Sequence, residues 1–141
     1  MFKFIKTHPK AVSPSKSHKT DSGFDLTLIE KYKKYNDVTL YNTGIKVQPP
    51  SGYYFDLVPR SSIIKSGYML ANSVGIIDQD YQGNIYVPLV KIDKTKPDLE
   101  LPCRLVQLVL RKVIEVEAIE VESFEDETKR GDGGFGSSNK N

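Results

Sequence analysis

The reactive side chains of this sequence are few in kind. Among 141 residues there is one cysteine, Cys103, and two histidines, His8 and His18. Both histidines fall in a Pro/Ser/Lys-rich stretch near the N-terminus. That inventory argues against a Ser-His-Asp triad, a Cys-His pair or a zinc site. Any metal taking part should be a hard cation met by oxygen, with Mg²⁺ first among them. The chemistry must therefore run on Asp, Glu, Tyr, Ser, Arg and Lys.

Four stretches place such residues usefully. Pro59-Arg60-Ser61-Ser62 follows an apolar run and offers a guanidinium, two hydroxyls and turn amides, a set that suits a polyphosphate. Taken alone it is as well read as a surface turn. Gly75-Ile76-Ile77-Asp78-Gln79-Asp80-Tyr81-Gln82-Gly83-Asn84 reads as a β-hairpin with a carboxylate at its bend. Asp78 follows two isoleucines, so partial burial would make it a usable base for a water molecule. The plain alternative is a polar turn, with Asp78 and Asp80 bonding to their own backbone. In Arg104-Leu105-Val106-Gln107-Leu108 a lone amide stands among apolar residues and needs a partner, which a phosphate oxygen would supply. The last stretch is the tail, Arg130-Gly131-Asp132-Gly133-Gly134-Phe135-Gly136-Ser137-Ser138. Glycine-rich backbone can converge on phosphate oxygens, although such tails are often only loose ends. Phe135 has nothing near it in sequence to bury it, and Arg130 stands where a bidentate phosphate contact would serve.

These residues must be carried by a small β-protein. The length suits one domain with a real core. The net charge of +2 is too small to announce a nucleic-acid or membrane partner. No stretch approaches the roughly 18 consecutive apolar residues of a membrane span. The start, Met1 to Lys6, alternates apolar and basic residues with no apolar run behind it, so no signal peptide is expected. With the single cysteine this favours a reducing, cytoplasmic or nuclear setting. Short β-type runs occupy residues 24–28, 38–41, 44–48, 53–58, 84–92, 104–112 and 113–122, and Phe2 and Phe4 alternate with lysines. Residues 29–35 read as helical for at most two turns. Pro88 cannot donate to a ladder, so its strand should lie at an edge or be bulged there. Many short strands at close spacing predict an all-β, jelly-roll-like barrel, closed or nearly so. Residues 1–129 form that domain and 130–141 a glycine-rich tail.

Taken in order, these stretches resemble the five motifs of the trimeric dUTP diphosphatases (dUTPases). Asp21-Ser22-Gly23-Phe24-Asp25-Leu26 is similar to the first and Pro59-Arg60-Ser61-Ser62 to the second. Asn72 through Gly83 is similar to the third, Arg104 through Leu108 to the fourth, and Arg130 through Ser138 to the fifth. Any one of these is weak; five in order are specific.

The resemblance implies a jelly-roll homotrimer that cleaves dUTP to dUMP and pyrophosphate, limiting uracil in DNA and supplying dUMP for dTTP synthesis. Each site would draw the second and fourth motifs from one chain, the third from another and the tail from the last. Asp78 would deprotonate the attacking water. Tyr81 would pack beneath the deoxyribose and exclude a 2′-hydroxyl. Asn72, Gly75, Ile76, Ile77 and Tyr86 would line the uracil pocket. Arg60, Ser61, Ser62 and Gln107 would hold the phosphates, and Arg130, Phe135, Gly136, Ser137 and Ser138 would cover them and the base. Asp25 would support the water site from behind. Mg²⁺ would ride on the phosphates rather than in a protein cage. This sequence departs from the family in Pro102-Cys103 before the fourth motif, in Asp21 and Ser22, in Ser138, and in a longer first connection at residues 30–37. Two other readings stay open, a dCTP deaminase and a non-catalytic nucleotide sensor or protein-binding regulator on the same fold.

Overall fold

Alternation along the strands sorts the side chains between a shared interior and two outer faces. In β6 (Tyr53–Pro59) Phe55 and Leu57 are buried while their neighbours are partly open. The same rhythm buries Val87 and Leu89 in β9 (Tyr86–Lys91), and Val106 and Leu108 in β10 (Cys103–Lys112). The computed structural model describes residues 1–137; Ser138, expected to cover the substrate, lies outside the described residues.

The other strands are β1 (Lys3–Lys6), β2 (Gly23–Leu28), β3 (Glu30–Tyr35), β4 (Val38–Asn42), β5 (Ile45–Gln48), β7 (Tyr68–Leu70) and β8 (Gly75–Ile77). One four-stranded sheet runs β2-β10-β6-β8, a second runs β3-β4-β9-β7, and β1 pairs with β5. All the pairings are antiparallel. Leu26, Leu28, Tyr41, Ile45, Val47, Phe55, Leu57, Leu70, Val87, Leu89, Val106 and Leu108 form the core between them. Phe2 sets its ring edge-on to Phe24 and Phe55, with centroids 4.9 and 5.0 Å apart, and pins the N-terminus to that core. The arrangement is jelly-roll-like, with open sheets rather than a closed barrel.

Four expectations need correction. Residues 30–35 form a strand, not a helix. Their two tyrosines, Tyr32 and Tyr35, carry a helical spacing, but Asn36 at φ 54° turns the chain straight into β4, and pairing with β4 decides the outcome. Residues 75–84 are not a hairpin: β8 pairs with β6 in one sheet, and the chain leads on into β9, which pairs with β4 and β7 in the other. Pro88 sits in a central strand, opposite Leu40 of β4. Its carbonyl accepts from the Ala71 amide just past the end of β7, and in an antiparallel strand N–H and C=O share a side, so the missing donor faces where that ladder stops. Finally, residues 113–122 alternate like a strand but join no ladder among the described residues, although the Val113 amide at their start donates to the Gly52 carbonyl at 2.8 Å. Ile114, Val116, Ile119 and Val121 all stand exposed.

Candidate active site

At one end of the β2-β10-β6-β8 sheet two polar side chains share a row. Gln107 of β10 is in register with Asp25 of β2 on one side and Val58 of β6 on the other. Asp25 is fixed by backbone hydrogen bonds with Ser15, at 2.7 and 3.3 Å, and its side chain is only 14% exposed. From there its Oδ1 lies 3.0 Å from Nε of Arg60. Arg60 is held again by its Nη1, which donates to the Arg104 carbonyl at 2.8 Å, and by its backbone amide, which donates to Leu105 at 2.8 Å. A guanidinium held at two points, on backbone fixed at a third, is aimed rather than free to sweep. Ser61 and Ser62 follow at once, exposed on the first turn of the 3-10 helix Ser61–Lys65.

Gln107 finds a partner inside the protein: its Nε2 donates to the Pro59 carbonyl at 3.1 Å. Its amide therefore does not by itself demand a ligand. Its carbonyl end lies over Gly23, where a Cβ would come within 2.1 Å of Gln107 Oε1. Gly23 belongs to the site for this reason, and an isolated glycine at the start of a strand was the available signal of such a close approach. Within this chain the partner of Asp25 is the Arg60 guanidinium.

Asp78 occupies the opposite end of the same sheet. Ile77 is in register with Phe55, so Asp78 emerges at the level of Tyr54. It is exposed, not partly buried as expected, because β8 stops at Ile77 and the chain turns outward. Asp78 lines a cleft of about 420 Å³ together with Tyr54, Ile76, Gln79, Lys112, Val113 and Ile114. Tyr54 and Lys112 were not foreseen there, since only the strand register brings them beside the third motif. Asn72, in the turn before β8, is exposed, and its Nδ2 comes within 3.4 Å of where a Cβ on Gly75 would sit.

Beyond Asp78 the chain crosses between the sheets. Tyr81 folds back over Gly83, where a Cβ would lie 2.4 Å from its hydroxyl, and donates to the Asn84 carbonyl at 2.7 Å. Tyr86 is half-buried and stacks on Tyr32 of β3, with centroids 4.3 Å apart and ring planes 23° apart. Burial, and then the neighbouring Tyr32 phenol, push the Tyr86 phenol above its ordinary value.

The tail makes tight turns of its own. Nε of Arg130 donates to the Gly133 carbonyl at 2.6 Å, and the Gly134 amide donates to Oγ of Ser137 at 2.7 Å. Phe135, at φ 50°, is fully exposed, and Gly136 follows at φ 90°.

One chain thus assembles Asp25, Arg60, Ser61, Ser62 and Gln107 in one place and Asp78 in another. Six residues of β6 and its continuation separate the level of Asp78, at Tyr54, from Arg60, which is about 20 Å of extended chain. A carboxylate acting on a phosphate and a guanidinium holding that phosphate cannot meet across such a distance within one chain.

Comparison with known proteins gives a consistent result. The dUTPase family model matches residues 9–139. A deoxyuridine 5′-triphosphate nucleotidohydrolase of Finegoldia magna is 37% identical over 142 residues, covering 94% of this chain and 96% of that protein. One of Rattus norvegicus is 31% identical and covers 99% of this chain and 67% of that protein. Among solved structures, a mutant Staphylococcus bacteriophage 80alpha dUTPase with dUpNHpp has a TM-score of 0.83 at 24% identity, covering 98% of each chain. A mutant dUTPase of S. aureus phage phi11, described with a structural Mg(II) ion, has a TM-score of 0.74 at 23% identity, covering 89% of this chain and 99% of that one.

Proposed function

The chain belongs to the dUTPase family, and from that premise we infer that it hydrolyses dUTP to dUMP and pyrophosphate, with Asp78 as the base that primes the attacking water. The position of Asp78 carries this assignment: a solvent-open carboxylate at the lip of a cleft, at the end of a strand that fixes its backbone. A base so placed is reached by water and by a nucleotide at once. The reaction removes dUTP from the pool available to DNA synthesis and yields dUMP for dTTP.

The substrate is the Mg²⁺ complex of dUTP, whose phosphates chelate the ion. Arg60, aimed by Asp25, meets those phosphates with the hydroxyls of Ser61 and Ser62 beside it, and Gln107 supports this set from the strand below. Water attacks the α-phosphorus in line, Asp78 takes its proton, and pyrophosphate leaves with the ion. Positioning and neutralisation of charge supply most of the lowering of the barrier. Asn72, Gly75, Ile76, Ile77 and Tyr86 surround the uracil. Tyr81, folded over Gly83, offers the flat face on which a deoxyribose rests.

The working unit is a homotrimer in this reading. Two observations favour it: the distance between Asp78 and Arg60, and the exposed apolar side chains of residues 113–124, which have no cover among the described residues. The tail from residue 130 then closes a site on another copy, Phe135 over the base and Arg130 on the phosphates. The test is a pyrophosphate assay on dUTP, dCTP and UTP, with ammonia release followed in parallel. Pyrophosphate from dUTP alone is expected, and ammonia from dCTP would overturn the reading. Asp78→Asn should retain dUTP binding and lose about 10²- to 10⁴-fold in turnover; full turnover would take the base elsewhere.

A further inference from the structure

The connection at residues 30–37 has no part in the reaction as derived, yet its strand β3 reaches the C-terminal end of the loop that carries Tyr81 by two routes, one through Asn84 and one through Tyr86. Asn42 is buried and fully used. Its Nδ2 donates to Oε1 of Glu30 at 2.9 Å, and its Oδ1 accepts from the Gly44 amide at 2.9 Å and from Nδ2 of Asn84 at 3.2 Å. Asn84 is held from a second side by Oγ1 of Thr7, which donates to its Oδ1 at 3.0 Å. The carbonyl of this same Asn84 receives the Tyr81 hydroxyl. Glu30 thus begins a line of hydrogen bonds that ends on Tyr81, and its other oxygen lies 3.4 Å from Nε2 of His8. Two residues past Asn84, at the start of β9, the Tyr86 ring stacks on that of Tyr32.

We propose that β3 is a specificity brace: Glu30, through Asn42 and Asn84, and Tyr32, through Tyr86, are positioning residues that hold the loop in the shape that prefers dUTP over UTP. The proposal rests on the roles given above to Tyr81 and Tyr86. A ring set beneath a sugar discriminates by sub-ångström clearance, so whatever fixes that ring also fixes the preference. Neither Glu30 nor Tyr32 is among the residues assigned to the phosphates or the water, so the chemical step should not feel their loss.

The test is kcat and KM for dUTP and for UTP in Glu30→Ala and Tyr32→Ala, with Tyr81→Ala as the reference and melting temperature recorded throughout. Both brace variants should lower the dUTP/UTP ratio of kcat/KM about three- to tenfold. The change should lie in KM, with kcat on dUTP within about twofold of the parent. Glu30→Gln, which keeps the acceptor for Asn42, and Tyr32→Phe, which keeps the stack, should restore the ratio; a lost contribution to folding alone would not show this split. Tyr32→Leu keeps an apolar strand residue without the ring and replaces Tyr32→Ala if that variant fails to fold. Parent selectivity in folded Glu30→Ala and Tyr32→Ala or Leu, beside a relaxed Tyr81→Ala, would overturn the brace alone. Parent selectivity in Tyr81→Ala would overturn both the brace and the sugar-wall reading beneath it.

Discussion

Asp78 and Arg60 stand at opposite ends of one strand ladder, the first at the level of Tyr54 and the second just past Pro59. A site that needs both must take them from two copies of the chain. Asp78→Asn and Arg60→Ala should therefore each be inactive alone and active when mixed. After unfolding and refolding together in equal amounts, about one quarter of the sites should carry both intact groups, because each is drawn independently from the two kinds of chain. Recovery of about a quarter of the parent rate is expected in a pyrophosphate assay. No recovery, with trimers confirmed by sedimentation, would return both groups to a single chain.

Gly23 and Gln107 offer a second check. A methyl group at Gly23 would collide with the end of the Gln107 side chain, not with backbone. Gln107 can swing away, so Gly23→Ala should fold but lose the hydrogen bond to Pro59. We expect kcat/KM for dUTP to fall about tenfold while the melting temperature moves by only a few degrees. A large drop in melting temperature with unchanged kcat/KM would make this contact structural.

Removal of residues 130–141 should spare assembly and cripple turnover. Within the described part of the tail the side-chain hydrogen bonds are local, so the sheets lose no support of that kind when it goes. A closing segment that orders phosphates and excludes water is worth about 10²-fold or more. Sedimentation should still give a trimer, and normal rates from the truncated chain would reduce the tail to an appendage.

Cys103 should be slow to react. Burial pushes its thiol above the ordinary value, so less thiolate is present at neutral pH. Alkylation by iodoacetamide at pH 8 should run about tenfold slower than for free cysteine and become equal in denaturant. Rapid labelling of the folded protein would contradict this.

Most of this was open to reading from residue order because strands and motifs are local. The alternations in β2, β4, β6, β9 and β10 and the five motif stretches needed no tertiary information. Most of the failures were non-local. Tyr32 and Tyr35 suit a helix until β4 is there to pair with, and the Asn36-Asp37 turn that makes the hairpin was passed over. Three-residue β7 is too short to register as a pattern. Residues 75–84 carry hairpin chemistry, but the strands on either side of their turn answer to different sheets. Only the register with Gln107 brings Asp25 to Arg60, a neighbour that no local pattern announces.

The uncovered isoleucines and valines of residues 113–121 bear on how this protein must be handled. If their shelter comes from sister subunits, assembly and folding are one equilibrium, and mass action governs both. The apparent melting temperature should then climb with protein concentration. At high dilution the chain should grow sticky before it unfolds, and a dilution series followed by light scattering would reveal it.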